Sequence, residues 1–309
     1  MARIARFVRD DRPTIYHVMS RTALEGFPLQ DIEKDHLMSI VARLSRFYFV
    51  DLLGFCLMGN HFHLVVRMYT EEAATDAEIV KRYRRQFGDD AVIMPHQLRD
   101  YRRRLVNLGA FMKDIKQGFT RYFNKHRNRK GFFWGDRFKS VIVQEGASLV
   151  NLLAYVDLNP VRAGLVRKPE DYRWSGLGYL VQTGNRAGLL DLDLGLKEWN
   201  EFDPKEIIRK YRRFVYETGA MDTGKGKQLD PELVKRERKK RYRLSRADVF
   251  RHRCRYFTDS GIIGSKEFVA EVFDGVKHLL DSKDERRFTP VGGVKGVYSM
   301  KRLAGAVGG

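Results

Sequence analysis

The chain has 309 residues, which is long enough to bury a substantial core as one large domain or two modest ones. Its 58 Lys and Arg residues outnumber 39 Asp and Glu residues, so the net charge is +19. This excess favours a polyanionic partner, and we interpret it first as nucleic-acid binding rather than attachment to an anionic membrane surface.

Several protein classes are excluded by what the sequence lacks. Cys56 and Cys254 are far apart and lack metal-ligand spacing, so we predict neither a disulfide framework nor a zinc finger. No apolar stretch approaches the length of a membrane span, and basic residues 1–12 lack the apolar core of a secretory signal. A reducing cytoplasm is the expected setting. Without a Walker loop or a Rossmann glycine pattern, no nucleotide cofactor is predicted.

The first elements predicted in chain order are a strand, a helix and a hairpin. Residues 14–20 predict a strand whose His17 faces either the site or solvent, and we assign it a structural role. Residues 31–47 carry an apolar stripe typical of a helix. Residues 48–58 are largely apolar and predict a central strand, and residues 61–68 predict its antiparallel partner after a tight turn.

The following segment predicts another helix and strand. Residues 71–97 are polar and predict an excursion. A long helix is expected from residue 99 through Tyr122, and a strand at residues 138–143. The order strand, helix, strand, hairpin strand, helix, strand predicts an α+β fold with a ferredoxin-like or RRM-like antiparallel sheet. Such a sheet packs both helices on one face and leaves the other face free.

Two histidines separated by one residue begin the third strand. Side chains alternate along a strand, so His61 and His63 share one face while Phe62 and Leu64 point to the other. Two neighbouring imidazoles can bind a divalent cation or grip a phosphate. The alternative is a surface strand that carries two histidines by chance.

Two helical tyrosines are candidate partners of the histidine pair. Tyr155 and Asn159 share a face of a helix predicted at residues 148–159, and Tyr122 lies near the end of the long helix. Either tyrosine can instead be a core residue of an amphipathic helix. The predicted topology favours Tyr155, because the Tyr122 helix belongs to the covered face and only an element after the last strand can cover the histidines.

A basic segment lies before this helix. Residues 98–139 contain 13 Lys or Arg against three Asp, which predicts a path for a phosphate backbone. Each basic residue alone can be part of a solvated face. The aromatic residues 132–134 inside the segment are predicted to pack in the core. The densest candidates for DNA binding are Arg121, Lys125, Arg127, Arg129, Lys130, Arg137 and Lys139.

The last third of the chain is basic and separate in character. A loop-like stretch at residues 184–195 predicts the end of a first domain at 1–195, followed by an extension at 196–309. The extension predicts a helix at 204–216, a flexible linker at 218–230 and a helix at 266–280. Residues 235–255 hold 11 Lys or Arg against two acidic residues. We expect a mainly helical DNA-contacting module or a disordered tail.

The sequence resembles the single-tyrosine HUH transposases (His, hydrophobic residue, His), and most closely the REP-associated tyrosine transposases of bacteria. The resemblance covers about residues 10–180, and its blocks occur in the same order and spacing. They are YHVMSR at 16–21, MGNHFHLVV at 58–66, YFNK at 122–125 with Gly131, RFKS at 137–140 and YVDLNPVRAG at 155–164.

The resemblance implies that residues 1–195 are a catalytic domain with an HUH endonuclease fold and a metal-dependent reaction on DNA. Tyr155 would be the nucleophile, and Asn159 would complete a metal site with His61 and His63. The relatives imply Mg²⁺ or Mn²⁺, while imidazole ligands leave other divalent ions such as Zn²⁺, Ni²⁺ or Co²⁺ open. The product would be a 5′-phosphotyrosine and a free 3′-OH, which permits rejoining without ATP. The implied partner is single-stranded or hairpin DNA, bound by a monomer or homodimer in the bacterial cytoplasm near the nucleoid.

Three other functions stay open from sequence. A non-catalytic nucleic-acid-binding regulator with this fold would bind without cleaving. A metal-dependent hydrolytic nuclease would use water, so its activity would survive Tyr155→Phe. A replication initiator or relaxase often carries a helicase, and no helicase motif is present.

Overall fold

The computed structural model describes residues 7–183, 185, 187–192, 204–221, 226–230, 232, 260–276, 288–290 and 296–301. The strands are β1 Thr14–Arg21, β2 Val50–Leu57, β3 His61–Met68, β4 Lys139–Val143, β5 Ser260–Gly264, β6 Phe288–Pro290 and β7 Tyr298–Lys301. The helices are α1 Asp31–Phe47, α2 Asp76–Phe87, α3 Leu98–Leu105, α4 Leu108–His126, α5 Ala147–Asp157, α6 Asn159–Arg162, α7 Gly176–Thr183, α8 Pro204–Gly219 and α9 Lys266–Val276.

All these strands form one sheet, in the order β2-β3-β1-β4-β5-β7-β6. The first four strands in this order pair antiparallel with one another, which is the ferredoxin-like order expected from the sequence. The mixed α+β class is therefore confirmed. The hairpin between β2 and β3 is short, whereas β1 reaches β2 only through α1, so β3 can pair with β1 on its other side.

The two faces of the sheet carry different helices. Phe62, Leu64 and Val66 of β3 belong to a buried cluster with residues of α1 and α4. Val65 faces the other way, into a second cluster that contains the apolar side of α5. The predicted alternation along β3 and the placement of α4 and α5 on opposite faces are both confirmed.

Strand β2 lies at an edge of the sheet, so the prediction of a central strand was wrong. Its residues are apolar on both sides because α1 covers one face while α5 and α7 cover the other. The outer edge is also partly occupied, since Leu57 N–H donates to the carbonyl of Trp174 at 2.8 Å and Leu52 accepts from Asp191 N–H. Burial thus comes from helices and loops rather than from two neighbouring strands.

The expected long helix before Tyr122 is two helices. α3 ends at Leu105 and α4 begins at Leu108, where the Asn107 side chain accepts a hydrogen bond from Ala110 N–H at 2.9 Å. An asparagine that caps a new helix in this way competes with helix continuation, which explains the break. The polar excursion at 71–97 contains helix α2, capped by Thr75.

The extension beyond residue 195 is not only helical. Strand β5 pairs in parallel with β4, and β7 and β6 continue the sheet beyond it. The expectation of a mainly helical extension did not include these strands, which lengthen the same sheet and cover the otherwise open edge of β4. Helices α8 and α9 still account for more of the described residues of the extension than the strands do. The expected helices at 204–216 and 266–280 appear as α8 and as α9 up to Val276. The domain boundary at 195 stays a prediction.

Part of the expected linker is packed. Leu229 is 1% exposed, and its N–H donates to the carbonyl of Gly219 at 3.0 Å. Lys227 N–H donates to the carbonyl of Arg162 at 2.9 Å, so this segment lies against α6. Local glycine content predicted flexibility, but burial of one leucine holds the segment on the domain. The basic run at 235–255 lies outside the described residues.

The described part of the chain contains no helix that combines the length and hydropathy needed to cross a lipid bilayer.

Candidate active site

Two histidines of β3 lie on the sheet face that α5 covers. His61 is the ladder partner of Arg21, and His63 is the partner of Met19. The two imidazole centroids are 5.1 Å apart and their planes are nearly perpendicular. The strand period therefore places both rings side by side, as the sequence predicted.

Both imidazoles are neutral at physiological pH. Burial lowers the pKa of His61 from 6.5 to about 4, with a further contribution from the positive charge of Arg21. Burial lowers the pKa of His63 well below 6.5, assisted by its neighbours His17 and His61. A neutral imidazole has the lone pair that metal binding requires.

Each imidazole has a hydrogen-bond partner on its Nδ1 atom. Nδ1 of His61 lies 2.8 Å from Oδ1 of Asn60. Nδ1 of His63 lies 3.0 Å from Nε2 of His17, a buried residue of β1. Since Nδ1 is engaged in both rings, Nε2 is the atom on each that a metal ion or a substrate would contact.

Tyr155 is brought to these rings by the close packing of α5 on β2. A Cβ atom on Gly54 would lie 2.4 Å from Leu153 Cδ2, so the side chain of Leu153 packs directly over this glycine and any larger residue would displace it. The Tyr155 ring is edge-on to His63, with centroids 5.9 Å apart, and edge-on to His17 at 6.3 Å. The structure thus joins the phenol and the histidine pair on one face.

The competing tyrosine lies elsewhere. Tyr122 is on α4, where it packs against the cluster on the opposite face of the sheet. Its ring stacks on His36 with centroids 3.4 Å apart and lies 4.2 Å from the ring of His126. The sheet therefore separates Tyr122 from His61 and His63.

Asn159 is fixed by the helix that carries Tyr155. Its Nδ2 donates to the carbonyl oxygens of Tyr155 at 2.8 Å and Val156 at 3.3 Å. Because both partners are acceptors, the amide nitrogen must face them and the amide oxygen must face away from this helical turn. That oxygen is the atom that could bind a cation.

A metal ion fits the donor chemistry of this site only with a mixed ligand set. Among the described residues, no group of three His, Cys, Asp or Glu side chains is arranged to hold a metal ion. Two imidazole nitrogens and one amide oxygen would instead be the protein donors. Hydrogen-bonded Nδ1 atoms are typical of metal-binding histidines, since the bond orients the ring.

Three cations surround the site, and sequence reasoning singled out only one of them. The Arg162 guanidinium lies 5.4 Å from the centre of the Tyr155 ring. Arg21 is the ladder partner of His61, while Lys139 is paired with Met19, which is also the partner of His63. Side-chain alternation along β1 could have placed Arg21 on one face of its strand. Only the register of β1 against β3 shows that this residue lies opposite His61.

The other predicted DNA-binding residues lie around the end of α4. Arg127 forms an ion pair with Glu33 at 2.5 Å, and Arg129 donates to the carbonyl of Phe132 at 3.1 Å, so both also stabilise local structure. Arg121 lines a cavity of about 540 Å³ between α1, α2, α3 and α4. The side chains of Lys125, Lys130 and Arg137 are exposed.

The loop after α4 connects this basic region with the site. Gly135 N–H donates to the carbonyl of Arg21 at 2.9 Å, and Ala23 N–H donates to that of Phe133 at 2.8 Å. Phe133 and Trp134 are buried as predicted, whereas Phe132 is 86% exposed and corrects the prediction of core packing. The basic loop thus runs beside the ladder partner of His61.

A buried carboxyl holds the site helix in place. Asp157 accepts hydrogen bonds from Tyr211 Oη at 2.6 Å and from Leu177 N–H at 2.9 Å, which links α5 to α8 and α7. Burial raises the pKa of Asp157 from 3.8 to about 6, while these hydrogen bonds oppose the rise. The folded state therefore favours the protonated form more than the unfolded state does.

We expect the free energy of unfolding to fall as pH rises from about 4 to about 6, because Asp157 loses its proton in the unfolded state over this range while burial keeps it protonated in the folded state. Asp157→Asn keeps an oxygen acceptor and removes this titration. Relative to wild type, the variant should gain up to about 3 kcal/mol between pH 4 and pH 7. Urea unfolding at both pH values measures the difference, and a difference independent of pH would contradict the assignment.

This chain has little detectable similarity to known proteins. No protein-family model matches the chain, and no curated protein matches it. Among solved structures, a REP-associated tyrosine transposase bound to a REP hairpin is similar, with 14% sequence identity and a TM-score of 0.42. The match covers 60% of this chain and 87% of that chain. The similarity is distant, and the fold and site stand on the contacts described above.

Proposed function

We propose that this protein is a metal-dependent tyrosine transposase that cleaves and rejoins single-stranded DNA, at hairpin-bearing repeats, through a covalent phosphotyrosine. The observation that carries the proposal is the phenol of Tyr155 beside His63 on a face rimmed by cations. Four of the five blocks that resemble HUH transposases, at residues 16–21, 58–66, 137–140 and 155–164, contribute residues to this face, whereas Tyr122 of the fifth block lies on the opposite face.

The proposed cleavage is one transesterification, and rejoining is its reverse, in which a 3′-OH attacks the phosphotyrosine and the phenol of Tyr155 leaves. Tyr155 Oη attacks the scissile phosphorus, a new P–O bond forms to the phenol, and the bond to the 3′ oxygen breaks. The phenol loses its proton to solvent and the leaving 3′ oxygen gains one, so no net proton is consumed. A phenol is a weak nucleophile at neutral pH, since its reference pKa is about 10, and the phosphate charge must therefore be neutralised.

The residues of this chain supply three parts of that chemistry. Arg162 lies over the Tyr155 ring and is placed to attract the phosphate towards the phenol. His61, His63 and Asn159 would hold a divalent ion such as Mg²⁺ or Mn²⁺. When bound, the ion would polarise the phosphate and stabilise charge on the leaving oxygen. Asp157 fixes the helix that presents the phenol.

The test is incubation with labelled single-stranded DNA hairpins taken from the flanks of the gene, with Mn²⁺ or Mg²⁺. Denaturing electrophoresis should show a protein band shifted by covalently bound DNA. Specific binding without any adduct or cleavage would favour the non-catalytic regulator.

We expect DNA binding to depend strongly on salt, through Lys125 at the end of α4, Lys130 in the loop that follows it and Lys139 of β4. Each neutralised phosphate should contribute about −0.7 to the log–log salt slope for single strands. Replacing Lys125, Lys130 and Lys139 together by Ala should therefore reduce the slope by about 2 in fluorescence anisotropy titrations. Lys81→Ala, an exposed lysine of α2, is the matched control and should leave the slope unchanged. A wild-type slope near zero would contradict the assignment.

A further inference from the structure

His17 is fully buried on β1 and contacts residues of the proposed site. The sequence alone had suggested only a structural role for it. It lies on β1, diagonal to His63, because Met19 is the ladder partner of His63 and residues two apart share a face. The rings of His17 and His63 stack with centroids 5.2 Å apart and planes 17° apart. His17 is also edge-on to Tyr155.

The hydrogen bond between the two rings has a consequence for which nitrogen carries a proton. Only one proton can lie between His17 Nε2 and His63 Nδ1, which are 3.0 Å apart. If His63 donates, its Nε2 keeps a lone pair and can bind a cation. If His17 donates, the neutral His63 carries its proton on Nε2 and cannot.

The neighbouring histidine shows the same arrangement with an unambiguous acceptor. The Oδ1 atom of Asn60 lies 2.8 Å from Nδ1 of His61 and can only accept, so His61 must carry its proton on Nδ1. Both rings are thus held by a partner on Nδ1 and present Nε2.

We propose that His17 is a positioning residue that accepts the Nδ1 proton of His63 and so holds that ring in the form that binds the metal. This inference rests on the proposed function only for the identity of the ligand. The alternative is that His17 merely fills space beneath the site. The two roles can be separated experimentally, because a different side chain at position 17 can provide a hydrogen-bond acceptor for His63 without being an imidazole.

Three variants separate these roles. His17→Gln keeps a side-chain oxygen that can accept from His63, whereas His17→Leu keeps an apolar side chain and leaves the Nδ1 proton without this partner. Val65→Ala is the packing control, since Val65 is the buried ladder partner of His17 and offers no side-chain hydrogen bond. Circular dichroism and thermal unfolding establish that each variant folds.

The first readout is the affinity for Mn²⁺ without DNA, measured by electron paramagnetic resonance. His17→Leu should weaken binding about 10- to 100-fold, as removal of a partner behind a metal ligand commonly does. His17→Gln should recover affinity to within a few-fold of wild type, and Val65→Ala should bind as wild type. Equal loss in the Gln and Leu variants, or no loss in the Leu variant, would overturn the proposal.

The second readout is the protonation pattern of His63 in metal-free protein, measured by nitrogen-15 NMR of the imidazole. Wild type and His17→Gln should show a protonated Nδ1 and an unprotonated Nε2, and His17→Leu should populate the opposite form. A wild-type His63 protonated on Nε2 would overturn the proposal even if Mn²⁺ does not bind. Neither readout requires cleavage, so absence of a Tyr155 adduct would refute the proposed reaction while leaving the role of His17 standing.

Discussion

Tyr155→Phe is expected to abolish the covalent protein–DNA adduct, to below about 10⁻³ of the wild-type level, while the protein folds and binds DNA normally. The substitution keeps the ring, its edge-on contacts with His63 and His17, and its place under Arg162. It removes only the hydroxyl that would attack phosphorus. Denaturing electrophoresis with labelled single-stranded hairpin DNA and Mn²⁺ measures the adduct, and anisotropy measures binding.

Tyr122→Phe is the matched control, because Tyr122 is also a helical tyrosine but lies on the opposite face of the sheet. This variant should form the adduct at the wild-type level. Loss of the adduct in Tyr122→Phe and its retention in Tyr155→Phe would make Tyr122 the nucleophile. Cleavage that continues without an adduct in both variants would favour a hydrolytic nuclease that uses water.

His61→Ala is expected to reduce metal-dependent cleavage by about 10²-fold or more, because several kcal/mol of charge stabilisation by a bound ion would be lost. The fold should persist, since His61 is only partly buried and its neighbour Phe62 supplies the core packing. Adduct formation across a Mn²⁺ titration separates weaker metal binding from a slower chemical step. A shift of the whole titration to higher Mn²⁺ would indicate a lost ligand.

The matched control is His126→Ala, which removes an exposed histidine whose ring contacts Tyr122 on the other side of the sheet. It should change neither Mn²⁺ dependence nor adduct formation. If His126→Ala shifted the Mn²⁺ titration and His61→Ala did not, the proposed metal site would be wrong. If His61→Ala had no effect at any Mn²⁺ concentration, the histidine pair would have no part in the reaction.

Much of the fold around His61, His63 and Tyr155 could be predicted from sequence because its patterns are local. Alternation along β3 determined that His61 and His63 share a face opposite Phe62. Helical spacing placed Asn159 one turn after Tyr155, and the two are in contact, although the helix predicted at 148–159 ends at Asp157 and Asn159 begins α6. The order of elements was sufficient to predict the ferredoxin-like strand order. Those results depend on residues within a few positions of each other, or on how short connections restrict strand pairing.

Other predictions failed where distant segments decide the outcome. The apolar composition of β2 suggested a central strand, but helices on both faces and residues from the chain after α6 bury an edge strand equally well. The glycine-rich stretch before Asp230 suggested a flexible linker, but Leu229 is buried against the domain. Composition reports that a segment is buried or polar, and it does not identify what covers it.

The sequence by itself determined which side chains of each strand and helix share a face, since backbone periodicity repeats within a few residues. Only the tertiary structure decided that His17 meets His63, that Arg162 lies over Tyr155, and that β5 extends the sheet beside β4. His17 and His63 are 46 residues apart, and β4 and β5 are farther apart still, so these contacts follow from strand register. The contact of Arg162 with Tyr155 depends on how α5 and α6 pack together.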